Sequence, residues 1–185
     1  TCVGDNRSYS YLPSRNGNTL SDNIAKHVLK YKHKEFKKYT WLDRGSDERN
    51  YCSPGIDLPI ASIMRTKYGE YPEYHTSDDK FGSVVTEKGL FGAYETIKLA
   101  IKCIEINCKP KVKVLGEPKL DKRGLRSFTS SNKKWGGFEK IVIDFISLCD
   151  GKSSLIEISE ILKKPIWEVE EILDICVKTD LVKIS

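Results

Sequence analysis

The stretch Ser46–Asp79, SDERNYCSPGIDLPIASIMRTKYGEYPEYHTSDD, decides how the rest of the chain is read. Ser53-Pro54-Gly55 is a turn signal, because proline presets φ and glycine accepts values that other residues refuse. Leu58–Met64 follows as a short apolar run and is expected to be buried. Gly69 and Pro72 break the chain again before Tyr74-His75-Thr76, with Asp78 and Asp79 just beyond. A histidine in a turn-rich loop after a buried run, with carboxylates beside it, suits a metal ligand or a general base. Neutral imidazole binds zinc, and a carboxylate on its second nitrogen fixes the tautomer. Taken without those neighbours, the same histidine reads as a surface residue.

Working outward, Tyr39–Leu42 is expected as a short strand, since Tyr, Thr and Trp favour the pleated backbone. It leads into Asp43-Arg44-Gly45-Ser46-Asp47-Glu48-Arg49. A charged loop between two apolar segments falls on the rim of an open α/β sheet, where active-site groups collect. Asp47 and Glu48 are candidates to orient an imidazole or to bind a substrate amine. Arg44 and Arg49 either hold a carboxylate or pair with these acids. Thr1–Gly4 reads as the end of a buried strand that runs out into Asp5. Thr19 or Ser21 caps the next helix, with Ile24, Val28 and Leu29 as its apolar stripe and His27 packed beside it. Lys30–Lys38, KYKHKEFKK, reads as a solvated basic helix end that includes His33, with contact to phosphate or an acidic glycan as the alternative.

These residues carry a resemblance. Ser46-Asp47, Gly55-Ile56, Leu58-Pro59 and Tyr74-His75-Thr76 with Asp79 stand where zinc aminopeptidases of the M28 type have Ser-Asp-His, a glycine turn, a buried strand, Tyr-His-Thr and an aspartate. The wording DRGSDER-YCSPGIDLP and YGEYPEYHTS looks still more like the aminopeptidase-like proteins found with polysaccharide-biosynthesis genes, which end in a winged-helix domain. This likeness covers nearly the whole chain. It implies that His75 is the family's last zinc ligand and that zinc is the cofactor. Two positions depart from the pattern. Glu48 replaces the family's histidine after Ser-Asp. If Gly4 is the glycine of the family's Leu-Asp-Met-x-Gly strand, Thr1 stands in the place of a zinc-binding aspartate, with Asp5 as a substitute ligand from the next turn.

The totals set bounds. The chain has 185 residues, a net charge of +5 and six cysteines (Cys2, Cys52, Cys103, Cys108, Cys149, Cys176). That length suits one domain or one and a half, and the mild positive charge does not by itself imply nucleic acid. No cysteine pair forms C-x-x-C, so a zinc knuckle is not expected, and a reduced, cytoplasmic setting is the simplest account. No apolar run approaches the roughly 20 residues of a membrane span, so no membrane association is expected. The sequence opens at Thr1 in mid-pattern, which suggests a fragment or a processed product.

Downstream, Leu90, Ala93, Tyr94, Ile97, Ile101 and Ile104 recur at helical spacing and predict one buried face of a long helix over the sheet. Residues 109–134 are basic, rich in proline and glycine, and read as a linker. In residues 135–185, three apolar-periodic helices and a final strand describe a winged helix-turn-helix. Phe138, Ile141, Val142, Phe145, Ile146 and Cys149 are expected inward on the first helix. Leu155, Ile158, Ile161 and Leu162 follow on the second, capped by Ser153 or Ser154. Val169, Ile172, Leu173 and Cys176 follow on the third. That third helix carries Glu168, Glu170, Glu171 and Asp174, which would repel phosphate, so a protein partner or self-association is favoured over DNA.

The expected architecture is therefore α/β: residues 1–108 as the C-terminal part of a zinc-peptidase-like open sheet with helices, then the linker and the small winged domain. The expected function is a zinc-dependent aminopeptidase-like hydrolase of a peptide or of an amide-bearing small substrate, linked to polysaccharide biosynthesis. The alternative is an inactive aminopeptidase-like scaffold whose winged helix recruits a protein. By family likeness the general base, a histidine ligand and an aspartate ligand belong before Thr1. The chain alone is then expected to be inactive.

Overall fold

A computed structural model describes residues 2–125 and 137–184. Thr1 and residues 126–136, which include the end of the expected linker and the start of the expected winged domain, lie outside the described residues. The chain divides into two units, Thr1–Ile104 and Glu105–Ser185.

In the first unit a small mixed sheet is built on β1 (Ser10–Leu12), which pairs in parallel with β2 (Lys37–Lys38) and antiparallel with β3 (Ser62–Met64). Helix α1 (Leu20–Lys32) packs Ile24, Ala25, Val28 and Leu29 inward. Its start is fixed by Thr19 and Asp22, which form a reciprocal capping box. Asp22 does more than cap: its carboxylate also accepts from Tyr11 Oη at 2.7 Å, from the Ser14 amide at 2.9 Å and from Ser14 Oγ at 2.6 Å. One buried acid thus ties α1 to β1.

Several expectations for this unit change. Tyr39–Leu42 forms no strand. Thr40 donates its amide and hydroxyl to the Asp43 carboxylate at 2.7 and 2.8 Å, closing a 3-10 turn over Trp41–Asp43. This local capping wins over β-propensity, and Leu42 is left exposed. Of Leu58–Met64 only the last three residues are strand, with Leu58 exposed. Cys2–Gly4 is not strand either, and Cys2 has φ 48°. His33 is not a solvated group: it lies half-buried, stacked on Tyr9 with ring centroids 3.5 Å apart and Nε2 2.9 Å from Thr96 Oγ1.

After a second short helix, α2 (Glu48–Tyr51), the long helix α3 (Glu87–Glu105) overturns its own expectation. The face it buries is Gly89, Ala93, Thr96, Ala100 and Cys103. Of the six residues predicted inward only Ala93 is buried. Leu90, Tyr94, Ile97, Ile101 and Ile104 are exposed. Close approach explains the choice of small residues. A Cβ at Gly89 would stand 2.0 Å from the Gly4 carbonyl oxygen, so only glycine lets the helix start against residues 4–5.

The second unit is the winged helix-turn-helix. It comprises β4 (Pro110–Val112), α4 (Phe138–Leu148), α5 (Leu155–Leu162), α6 (Ile166–Lys178) and β5 (Val182–Ile184). Val142, Phe145, Ile146, Cys149, Leu155, Ile158, Val169, Leu173, Cys176 and Leu181 form its core. Ser154 caps α5 through a box with Glu157. Lys163 adopts the left-handed conformation at φ 54°, and Pro165 opens α6. Ile161, expected inward, is exposed, and Ile156 is buried instead. The stretch read as a linker begins as structure: β4 pairs antiparallel with β5 and belongs to this unit.

Candidate functional site

Two acids singled out in the first unit, Asp5 and Glu48, are buried and held by partners far away in sequence. Asp5, 4% exposed, accepts from the Thr66 amide at 2.8 Å, from Thr66 Oγ1 at 2.6 Å and from the Arg7 amide at 2.9 Å. Both of its oxygens are engaged in holding residues 5–7 onto the end of β3. Arg65 closes the same junction. Its Nε donates to the Asp5 carbonyl at 2.7 Å and its Nη2 to Asn6 Oδ1 at 3.0 Å, while the guanidinium lies 3.8 Å over the Tyr9 ring.

Glu48 is buried as well. Its Oε1 accepts from Tyr68 Oη at 2.5 Å and from the amides of Gly45 and Ser46 at 2.8 and 3.0 Å. Burial pushes this carboxyl up, but the hydrogen bonds from Tyr68, Ser46 and Gly45 together outweigh it and hold the pKa below the ordinary glutamate value. The loop carrying Asp47 is therefore pinned from beneath by Glu48, while Asp47 itself stays exposed. Lys67, also buried, reaches the Tyr68 carbonyl at 3.2 Å and lies against the Tyr68 and Tyr39 rings.

His75 sits on an aromatic ledge. Tyr68 faces Tyr74 at 6.3 Å, Tyr71 meets Tyr74 edge-on at 5.7 Å, and the imidazole stacks on Tyr74 with centroids 4.0 Å apart. The ledge is anchored by Arg7, which is bidentate to Glu73 at 2.8 and 3.0 Å and lies over the Tyr71 ring. Asp79, one of the carboxylates beside the histidine in sequence, accepts from Tyr71 Oη at 3.1 Å. His75 itself is exposed and has φ 60°, in the left-handed region that a few per cent of non-glycine residues adopt, asparagine, aspartate and histidine most often.

Asp5, Glu48 and His75 thus share one network. Tyr68 joins Glu48 to the ledge, and the segment Arg65–Tyr68 joins the ledge to Asp5. That segment was missed in the sequence, and nothing in the sequence marks it, because arginine, threonine and lysine are residue types mostly found exposed. Among the described residues no three His, Cys, Asp or Glu side chains are grouped to hold a metal ion.

Comparison with known proteins follows this division. Residues 1–107 match the family described as domain of unknown function DUF4910. The chain belongs to the DUF4910 family. Residues 108–184 of this DUF4910 chain match a winged helix-turn-helix family, in keeping with β4 being part of the second unit. The chain is 34% identical over 164 residues to a Clostridium acetobutylicum protein named "Putative polysaccharide biosynthesis protein with aminopeptidase-like domain". That match covers 86% of this chain and 36% of the relative. The crystal structure of a "putative peptidase" from the same bacterium superposes with a TM-score of 0.87 at 30% identity, over 100% of this chain and 40% of that one. The DUF4910 chain thus spans little more than a third of the relatives' length and has the scaffold of an aminopeptidase-like protein. Among its described residues no helix is long and apolar enough to cross a membrane.

Proposed function

We propose that the DUF4910 chain is the C-terminal part of a zinc-dependent aminopeptidase-like hydrolase of the M28 type, to which it contributes His75. One observation carries this reading. An exposed imidazole is held at a positive φ on a rigid ledge of three tyrosines, in a Tyr-His-Thr sequence. Such a backbone costs on the order of 1–3 kcal/mol and persists where the surroundings enforce it, most often at functional sites.

The described residues do not by themselves fit zinc. A zinc site needs at least three protein ligands, and His75 is the one donor that fits here. Asp5, the weaker candidate, has both oxygens occupied. The other ligands and the general base therefore belong to the part of the relatives' length that this chain does not span. Asp47, exposed above Glu48, is the carboxylate available to a substrate amine. The substrate class is a peptide N-terminus or an amide on a sugar precursor, the latter on the strength of the relative's name. The winged unit is the contact point for a protein partner or a second copy, because Glu168, Glu171 and Asp174 lie exposed on α6, where a DNA-reading helix needs cations.

Zinc analysis of the complete protein, wild type beside His75→Ala, tests the assignment. Near-stoichiometric zinc in the wild type and its loss in the folded variant are expected. Absence of zinc from both would overturn it. One observation favours a second reading, an inactive scaffold. The acid that stands in for the family's histidine after Ser-Asp, Glu48, is spent on internal hydrogen bonds.

A further inference from the structure

We infer that the outer face of α3 is a docking seam for the part of the aminopeptidase-like body that this chain does not span. Helix α3 is apolar on two sides. Its inner side is small (Gly89, Ala93, Ala100) and lies tight against its own unit. Its outer side is large: Leu90, Tyr94, Ile97, Ile101 and Ile104 repeat at alternating steps of four and three and so form one continuous stripe. Tyr94 is 57% and Ile101 52% exposed, and Phe91 beside them is 66% exposed. Glu95, Lys98 and Lys102 flank the stripe without interrupting it. A helix covered by water on one side carries polar residues there, whereas a helix apolar all round lies between two layers. A stripe of this length also exceeds the scattered apolar residues normal for a surface.

The relatives indicate what the second layer is. They contain this fold, at a TM-score of 0.87, as 40% of a longer chain, so in them the unit is one portion of a larger body. Zinc plays no part here, and the seam stands whether or not His75 binds metal. A second copy of the chain is the competing occupant.

The test uses Ile97→Cys in this chain and a cysteine at the aligned position of the complete clostridial relative. Alkylation by iodoacetamide is followed by peptide mapping, and sedimentation velocity is run on both proteins. We expect fast labelling in this chain and labelling at least tenfold slower in the relative, with the relative monomeric. Equal rates in the two proteins would overturn the inference. So would slow labelling in this chain accompanied by a dimer that Ile101→Asp dissociates, since the second copy would then be the cover. A zinc-free relative that still protects the position would sink the metal assignment and leave the seam intact.

Discussion

At the scale of single residues, the hydrogen bonds around Glu48 make a prediction with a definite sign. Tyr68→Phe removes one donor from a buried carboxylate and should cost about 1–3 kcal/mol in urea unfolding. Because the folded-state pKa of Glu48 is held below the unfolded value, its contribution to stability is present above the unfolded pKa. It is lost as pH falls through the folded one. In Tyr68→Phe, with one lowering hydrogen bond gone, the folded-state pKa moves up toward the unfolded one, so this acid-side loss should be smaller than in the wild type. His33 acts in the same pH direction by a different route. Burial, with Lys32 and Arg65 nearby, lowers its pKa to about 4. The unfolded chain therefore takes up a proton that the folded chain refuses. Stability is then complete above about pH 6.5, the ordinary histidine value, and falls as pH drops toward 4. His33→Gln should flatten this part of a stability-against-pH curve; an unchanged slope would show that the ring is not held neutral. Of the site residues, Asp47, Glu48 and His75 were legible because acids and a histidine in turn-rich loops stand out. Their partners were not, since Thr66 and Tyr68 meet Asp5 and Glu48 only through the sheet.

Among the elements, α1 shows how much a cap can carry. Asp22→Asn keeps the shape but gives up the charge that accepts from Tyr11, Ser14 and Thr19, and should destabilise by about 3 kcal/mol or more. Circular dichroism should show the loss as a lower melting temperature. For α3, Gly89→Ala sets a methyl against carbonyl oxygens that cannot swing away, and overpacking of about 1–3 kcal/mol is expected in the same assay. Helices α1, α4, α5 and α6 were readable from period and caps, because each has one apolar face and one wet one. The orientation of α3 was not, since periodicity marks where large residues recur and the buried face here is the small one. The strand expected at Tyr39 failed for a local reason: Thr40 and Asp43 bond to each other within a single turn.

On the scale of the whole molecule, the division into two units fixes what can fold alone. A polypeptide of residues 105–185 carries both β4 and β5 and should unfold cooperatively, whereas residues 135–185, which lack β4, should melt lower and less sharply. The expected boundary at 135 missed this, because proline and lysine in Pro110–Val112 suggested a tether rather than a strand. Lysines on an edge strand are ordinary: they stay in water while the backbone pairs.

The pairing of β4 with β5 has a kinetic consequence. It joins Val112 to Val182 across the whole second unit, whereas the helix contacts of that unit are closer in sequence. Closing a long loop costs entropy before any contact repays it, so local helical structure should form first and the wing last. Val182 is buried, yet its interactions should be nearly absent from the transition state. In a chevron plot of residues 105–185, Val182→Ala should leave the refolding arm almost unmoved and shift its destabilisation into faster unfolding. The wing would then act as a latch, last to be set and decisive for how long the folded unit lasts.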